Sequence, residues 1–177
     1  MLPTDTQIAA WRARADQAPL RPRDALRATS GGAAIGSIEA ALAQRMGEAG
    51  LPLVAAEGGW CLVDGSVEVH LARIAVWLRD AGIASAWRDE LLAVDDEHGA
   101  RVGLIERAAV RPLGIATRAV HLIGWAEQGG VWVQQRALNK ATDPGQWDTL
   151  MGGLMAGDED VCATLTRETW EEAGLRL

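Results

Sequence analysis

The sequence predicts an α/β (α+β) fold, and two patterns carry that prediction. Apolar residues recur at helical spacing in several segments, and short runs rich in Val, Leu, Ile and Trp between glycine turns read as strands. The 177 residues are about one domain's worth, or one domain with a short extension, and at 49% apolar they can bury a core.

Residues 6–17 read as a helix, with Ile8, Trp11 and Ala15 on one face, ended by Pro19 and Pro22. Ser30, Gly31 and Gly32 form a turn between two short apolar stretches. Residues 37–48 are expected to be helical, with Ser37 as cap and Ile38, Leu42 and Met46 as the buried stripe. The runs 53–56 and 60–63, separated by Glu57, Gly58 and Gly59, predict a hairpin. Residues 66–81 predict a helix with Val67, Leu71, Ile74 and Leu78 facing inward. The runs 91–94 and 102–105 flank an acidic turn, and a short helix is expected up to Pro112. Residues 119–125 and 131–135 bracket Gln128, Gly129 and Gly130 as a further hairpin. A boundary between Leu113 and Arg118 divides the chain into an N-terminal α/β unit, 1–115, and a second unit, 116–177.

The formal net charge is -7 and the isoelectric point about 4.9. Phosphate backbones attract clustered Lys and Arg, so the balance argues against a nucleic-acid polymer as partner. No apolar stretch approaches the ~20 residues needed to span a bilayer, and the N-terminus lacks a secretory layout. Cys61 and Cys162 give no disulfide framework and no metal spacing. A cytoplasmic protein without membrane partners is expected. His70, His98 and His121 have no ligand spacing and read as hydrogen-bonded structural residues. Most of the eight Trp read as core, with Trp147 a candidate for a substrate pocket.

Charge is concentrated at the C-terminal end. Residues 141–177 hold eight Asp or Glu against two Arg, and so carry -6 of the -7. Within it stand Gly153, Glu159, Arg167, Glu168, Glu171, Glu172 and Gly174. A helix beginning near Glu159, capped by Asp158 and ended by Gly174, would place Glu168, Glu171 and Glu172 within an arc of about 100°. Cys162, Leu165, Thr169 and Ala173 would pack against a sheet. Like charges four residues apart destabilise a helix, so this face is expected to be neutralised by a hard divalent cation, which takes carboxylate oxygens.

The spacing G-x5-E-x7-R-E-x-x-E-E-x-G, followed by Leu175, resembles the Nudix box. At about 7% per residue type, seven fixed matches arise by chance in such a chain roughly once in a million. Thr169 departs from the pattern, which prefers Ile, Leu or Val there. The resemblance implies that the second unit is the first part of a Nudix α/β/α sandwich. It also implies a Mg2+- or Mn2+-dependent hydrolase that cleaves a small-molecule diphosphate linked to another moiety. Glu168, Glu171 and Glu172 would then be the catalytic metal ligands, one doubling as general base, and Gly153 would add its carbonyl. Glu159, Arg167 and Gly174 would shape the motif.

A wider likeness, through residues 118–125 and 140–154, is to Nudix proteins with an extra N-terminal domain, some of them linked to thiamine pyrophosphokinase. It implies thiamine diphosphate or an oxidised derivative as substrate. Two alternatives stand beside this reading: a non-catalytic Nudix remnant acting in association, and an enzyme similar to the Nudix relatives that isomerise isopentenyl diphosphate. The motif lies at the end of the chain, so later strands of such a sandwich are expected to be missing. Little activity is then expected from these 177 residues alone. Unpaired sheet edges would favour association, and a homo-oligomer stays open.

Overall fold

The fold is mixed α/β. In the computed structural model, residues 4–140 and 143–176 are described. Helix α1, Asp5–Ala15, opens with a capping box in which Gln7 N–H donates to Thr4 Oγ1 and Thr4 N–H donates to Gln7 Oε1. It buries no side chain.

Strands β1 (Asp24–Arg27) and β2 (Ala34–Ile38) pair antiparallel. Helix α2 is Ala40–Glu48, and strands β3 (Leu53–Ala56) and β4 (Gly59–Leu62) form the expected hairpin. Together they make a four-stranded sheet in the order β2-β1-β4-β3, with β1 and β4 parallel. The predicted helix start at Ser37 is wrong. Ser37 and Ile38 lie in β2, where Ser37 Oγ accepts a hydrogen bond from Arg23 Nε at 2.9 Å. Pairing with β1 outcompetes the helical period, although Ile38 and Met46 are still fully buried.

Helix α3, Val67–Asp80, matches its prediction. Ser66 caps it through Val69 N–H, and Leu71, Ile74 and Leu78 are fully buried, each contributing roughly 1.5–3 kcal/mol. It packs on the hairpin of β5 (Leu91–Asp95) and β6 (Arg101–Glu106). Glu106, 4% exposed, accepts hydrogen bonds from the backbone N–H groups of Arg88, Glu90 and Ala108. That carboxylate fixes the 3-10 turn Arg107–Ala109, which stands where a short helix was expected. The segment after it is tied to β2, because Ser37 N–H donates to Leu113 O at 2.9 Å. Arg23 also bonds Pro112 O at 2.7 Å.

The second expected hairpin is more elaborate than predicted. Residues 119–125 divide into β7 (Ala119–Leu122) and β8 (Gly124–Trp125). Only β8 pairs with β9 (Val131–Gln135), while β7 pairs with β11 (Met151–Leu154). Strand β10 (Trp147–Thr149) lies on the other side of β9. The chain thus changes partner at Ile123, and the returning chain does so at Leu150. Gly124 makes room for that crossing, since a Cβ there would press on the Leu150 side chain.

Helix α4, Val161–Ala173, lies over β11 and β7. Met151, Val120, Thr164 and Thr169 are buried in this part of the structure. The loop leading into α4 is fastened to the β5–β6 hairpin. Gly157 N–H donates to Leu91 O at 2.8 Å, and Gly157 O accepts from Arg101 Nη1 at 2.8 Å. Asp95 pairs with both Arg101 and Arg118, each at 2.8 Å.

Several expected burials are corrected. Cys162 and Ala173 are exposed and Leu165 is half-buried; of the expected packing arc Thr169 is fully buried, and α4 turns Thr164 inward beside it. Trp11, Trp125, Trp132, Trp147 and Trp170 are all more than half exposed, so most Trp are not core. The ring nitrogens of His70 are buried but find no hydrogen-bond partner among the described residues, unlike the bonded histidine expected. Among the described residues, no helix is long and apolar enough to cross a membrane.

Candidate active site

The site is assembled by the β11–α4 unit. Asp160, not Asp158, caps α4, with Ala163 N–H donating to its carboxylate at 2.8 Å. The helix therefore starts two residues later than predicted, which leaves Glu159 in the loop and free to turn back. Gly174 ends the helix at φ 65, a left-handed position that glycine takes without a Cβ penalty.

Glu159 and Arg167 make the bidentate pair that holds this loop. Arg167 Nε lies 2.7 Å from Glu159 Oε1 and Nη2 lies 2.8 Å from Oε2. Such planar fork-to-fork pairing is geometrically specific as well as charge-assisted. Thr164 Oγ1 adds a third bond to Glu159 at 2.9 Å. Arg167 holds the Glu159 carboxyl down at about 2, against an ordinary 4.5, and Thr164 assists. Arg167 is in turn stabilised in its charged form, chiefly by Glu159. Its Nη2 reaches Leu154 O at 3.4 Å, tying helix and loop to the end of β11.

Glu168 lies beside this pair, 2.9 Å from Arg167 Nη1. Its carboxyl is pushed up from its ordinary value, because burial outweighs the pull of Arg167 and the nearby Glu171 and Glu172 add to the rise. The carboxylate occupies the space directly over Gly153, where a Cβ would collide with it. Gly153 is therefore required by the site's packing. Glu171 leans toward Arg167 at 3.5 Å, and Glu172 accepts from Gln134 Nε2 on β9 at 3.3 Å.

The structure thus brings Gly153, Glu159, Arg167 and Glu168 into contact and places Glu171 and Glu172 on the rim. Among the described residues, no three His, Cys, Asp or Glu side chains converge as they stand into a metal-holding group. The donor chemistry nonetheless fits a hard cation. Three carboxylates lie along one stretch of helix, and the lack of a side chain at Gly153 lets the Glu168 carboxylate sit directly against its backbone.

Trp147 stands apart from this cluster, on β10 and 69% exposed. It borders an apolar groove with Ile123, Val131, Trp132 and Val133. It also borders a polar groove lined by Arg107, Arg111, Arg136 and Asp148. Sequence reasoning missed the second groove. Its arginines come from distant segments and share no spacing that a local pattern could show.

Comparison with known proteins places the C-terminal part of the chain. Residues 116–177 match the model of the NUDIX domain. An uncharacterized Nudix hydrolase of Pseudomonas aeruginosa is 36% identical over 87 residues, covering 49% of this chain and 52% of that protein. The chloroplastic Nudix hydrolase 24 of Arabidopsis thaliana is 35% identical over 109 residues, 59% of this chain and 30% of its own length. That span exceeds the NUDIX match, so the likeness reaches into the upstream half. An isopentenyl-diphosphate Delta-isomerase of Streptomyces avermitilis is 38% identical over 86 residues, 48% of this chain and 44% of that enzyme. Among solved structures, DR0079 of Deinococcus radiodurans is 27% identical with a TM-score of 0.45, covering 49% of this chain and 54% of that one. The chain spans about half the length, or less, of these curated relatives.

Proposed function

We infer that residues 116–177 carry the metal-binding segment of a Nudix-type hydrolase that cleaves a small-molecule diphosphate linked to another moiety. The observation that supports this most is the seating of Glu168 over Gly153 beside the Glu159–Arg167 pair. It concentrates three carboxylates on one stretch of α4, with a single arginine, Arg167, between them and Glu159. Glu168, Glu171, Glu172 and the Gly153 carbonyl would hold Mg2+ or Mn2+. When bound, such a cation neutralises diphosphate charge and activates water. Arg167 orients Glu168 and pins the loop through Glu159. One of the three carboxylates would double as the general base toward water.

The upstream unit, 1–115, is read as an accessory part that helps to bind substrate. Its likeness to the plant Nudix hydrolase supports this, since that alignment extends beyond the NUDIX match. Thiamine diphosphate or an oxidised derivative is the favoured substrate, on the residue likeness at 118–125 and 140–154. The Streptomyces relative motivates the competing reading, isomerisation of isopentenyl diphosphate.

Calorimetric titration with Mn2+ tests the metal face. Binding that Glu172→Gln weakens is expected, and identical isotherms for the two proteins would overturn the reading. Phosphate release from thiamine diphosphate and a nucleoside-diphosphate panel tests the reaction. Double-bond migration in isopentenyl diphosphate without phosphate release would favour the isomerase.

A further inference from the structure

The chain is acidic overall, yet arginines of both halves meet in a groove beside β9 and β10. It encloses about 700 Å³ and is lined by Arg14, Arg107, Arg111 and Arg136, with Asp143 and Asp148 as its acidic members. Three of the four arginines come from the upstream half, and Arg136 follows β9.

The arginines differ in how far they are committed. Arg107 pairs with Glu90 at 2.7 Å, and Arg136 pairs with Asp148 at 3.2 Å. Asp148 also accepts from Thr149 N–H at 2.8 Å, and this bond with Arg136 holds its carboxyl below the ordinary value. It remains an anion that satisfies Arg136. Arg111 is exposed and forms no ion pair among the described residues. Its backbone is nevertheless held, because the buried Glu106 shapes the 3-10 turn before it and Ser37 holds Leu113 after it. A guanidinium anchored at its backbone and without a carboxylate partner is a donor fork open to phosphate.

The groove also lies next to the carboxylate face. Gln134, which donates to Glu172, stands directly across from Asp148 in the β9–β10 ladder. Arg136 is two residues further along, about 7 Å at strand rise, and bonds that same Asp148. One face of the β9–β10 ribbon thus runs from Glu172 to the arginines.

We propose that this groove is a phosphate-binding subsite, in which Arg111 and Arg107 of the upstream half act with Arg136 on the anionic group of a diphosphate substrate. The inference rests on the hydrolase reading for its substrate class, but the subsite itself needs no metal. Substrate then binds across the seam between the two halves, which gives the upstream half a direct part in recognition.

The test is titration of the 177-residue chain with inorganic pyrophosphate in EDTA, followed by thermal melts to verify that each variant is folded. Arg111→Gln should weaken pyrophosphate binding about tenfold, the loss of one charge-assisted fork. Arg73→Gln, on the exposed side of α3, should leave it unchanged. Sulfate at equal concentration should compete poorly. Absence of binding, equal loss in both variants, or sulfate binding as well as pyrophosphate would each overturn the proposal. Pyrophosphate binding that depends on Arg111, in a protein that binds no Mn2+, would retain the subsite while removing the hydrolase reading. Mn2+ binding without pyrophosphate binding would do the reverse.

Discussion

Gly153→Ala is the sharpest perturbation of the carboxylate cluster, because it adds one methyl group and no charge. The new Cβ would fall inside van der Waals contact with all three atoms of the Glu168 carboxylate, a side chain only 14% exposed. Glu168 must swing away and give up its 2.9 Å bond to Arg167. A hydrogen bond between charged groups contributes about 1.5–3 kcal/mol. Replacing glycine returns about 0.4–1 kcal/mol by restricting the unfolded chain. The expected net loss is about 1–2 kcal/mol. For a chain of this size that lowers Tm by about 2–8 °C. The functional loss should be larger, since displacement of a catalytic group by about 1 Å costs on the order of a hundredfold in rate. Gly152→Ala is the internal comparison. Its Cβ would press on the exposed ring of His121, which can rotate off its 2.9 Å contact with Thr149 Oγ1. That loss, about 0.5–1.5 kcal/mol, is nearly offset by the same backbone gain. Melts followed by circular dichroism, with Mn2+ titration of each variant, read both effects. Equal behaviour of the two alanine variants would refute the steric reasoning.

Thr169→Val should raise stability by about 1 kcal/mol, because Thr169 is fully buried and its hydroxyl has no partner among the described residues. A lower urea midpoint for the valine variant would contradict this. The Glu159 pairing should impose an acid limit. With a folded value of about 2 against an ordinary 4.5, its contribution is complete above about pH 4.5 and is lost as pH falls toward 2. The stability gap between wild type and Glu159→Gln, about 1–2 kcal/mol at neutral pH after allowing for partial exposure, should close over that window. A gap that stays constant from pH 7 to 2.5 would show that the carboxylate charge is not its source.

Features set by short-range chemistry were legible in the sequence. Helix α3 falls within the predicted 66–81 span, and Gly174 ends α4 as expected because the chain there must turn left-handed. Helical stripes such as Leu71, Ile74 and Leu78 followed from period alone. Misreadings arose where partners distant in sequence decided the outcome. Ser37 looked like a helix cap but pairs across to Ala25 in β1. Residues 119–125 looked like one hairpin strand, yet β11 claims the first half and β9 the second. The motif carries the spacing of Glu159 and Arg167, whereas their bidentate geometry depends on Asp160 taking the cap and leaving Glu159 in the loop. The arginine groove was invisible for the same reason, being a product of folding and not of local order.

The fastening at Gly157 has a consequence for how this chain could be recombined. Both polar groups of its peptide backbone are spent on the β5–β6 hairpin, and a Cβ there would run into the Leu104 side chain. The loop that aims α4 therefore takes its bearing from the upstream half. A graft that imported residues 116–177 beneath a different N-terminal unit would bring the charged motif intact but lose the surface that sets its angle. Such a graft would have to carry Leu91, Asp95, Arg101 and Leu104 with the C-terminal segment, even though more than fifty residues separate them from Gly157 along the chain.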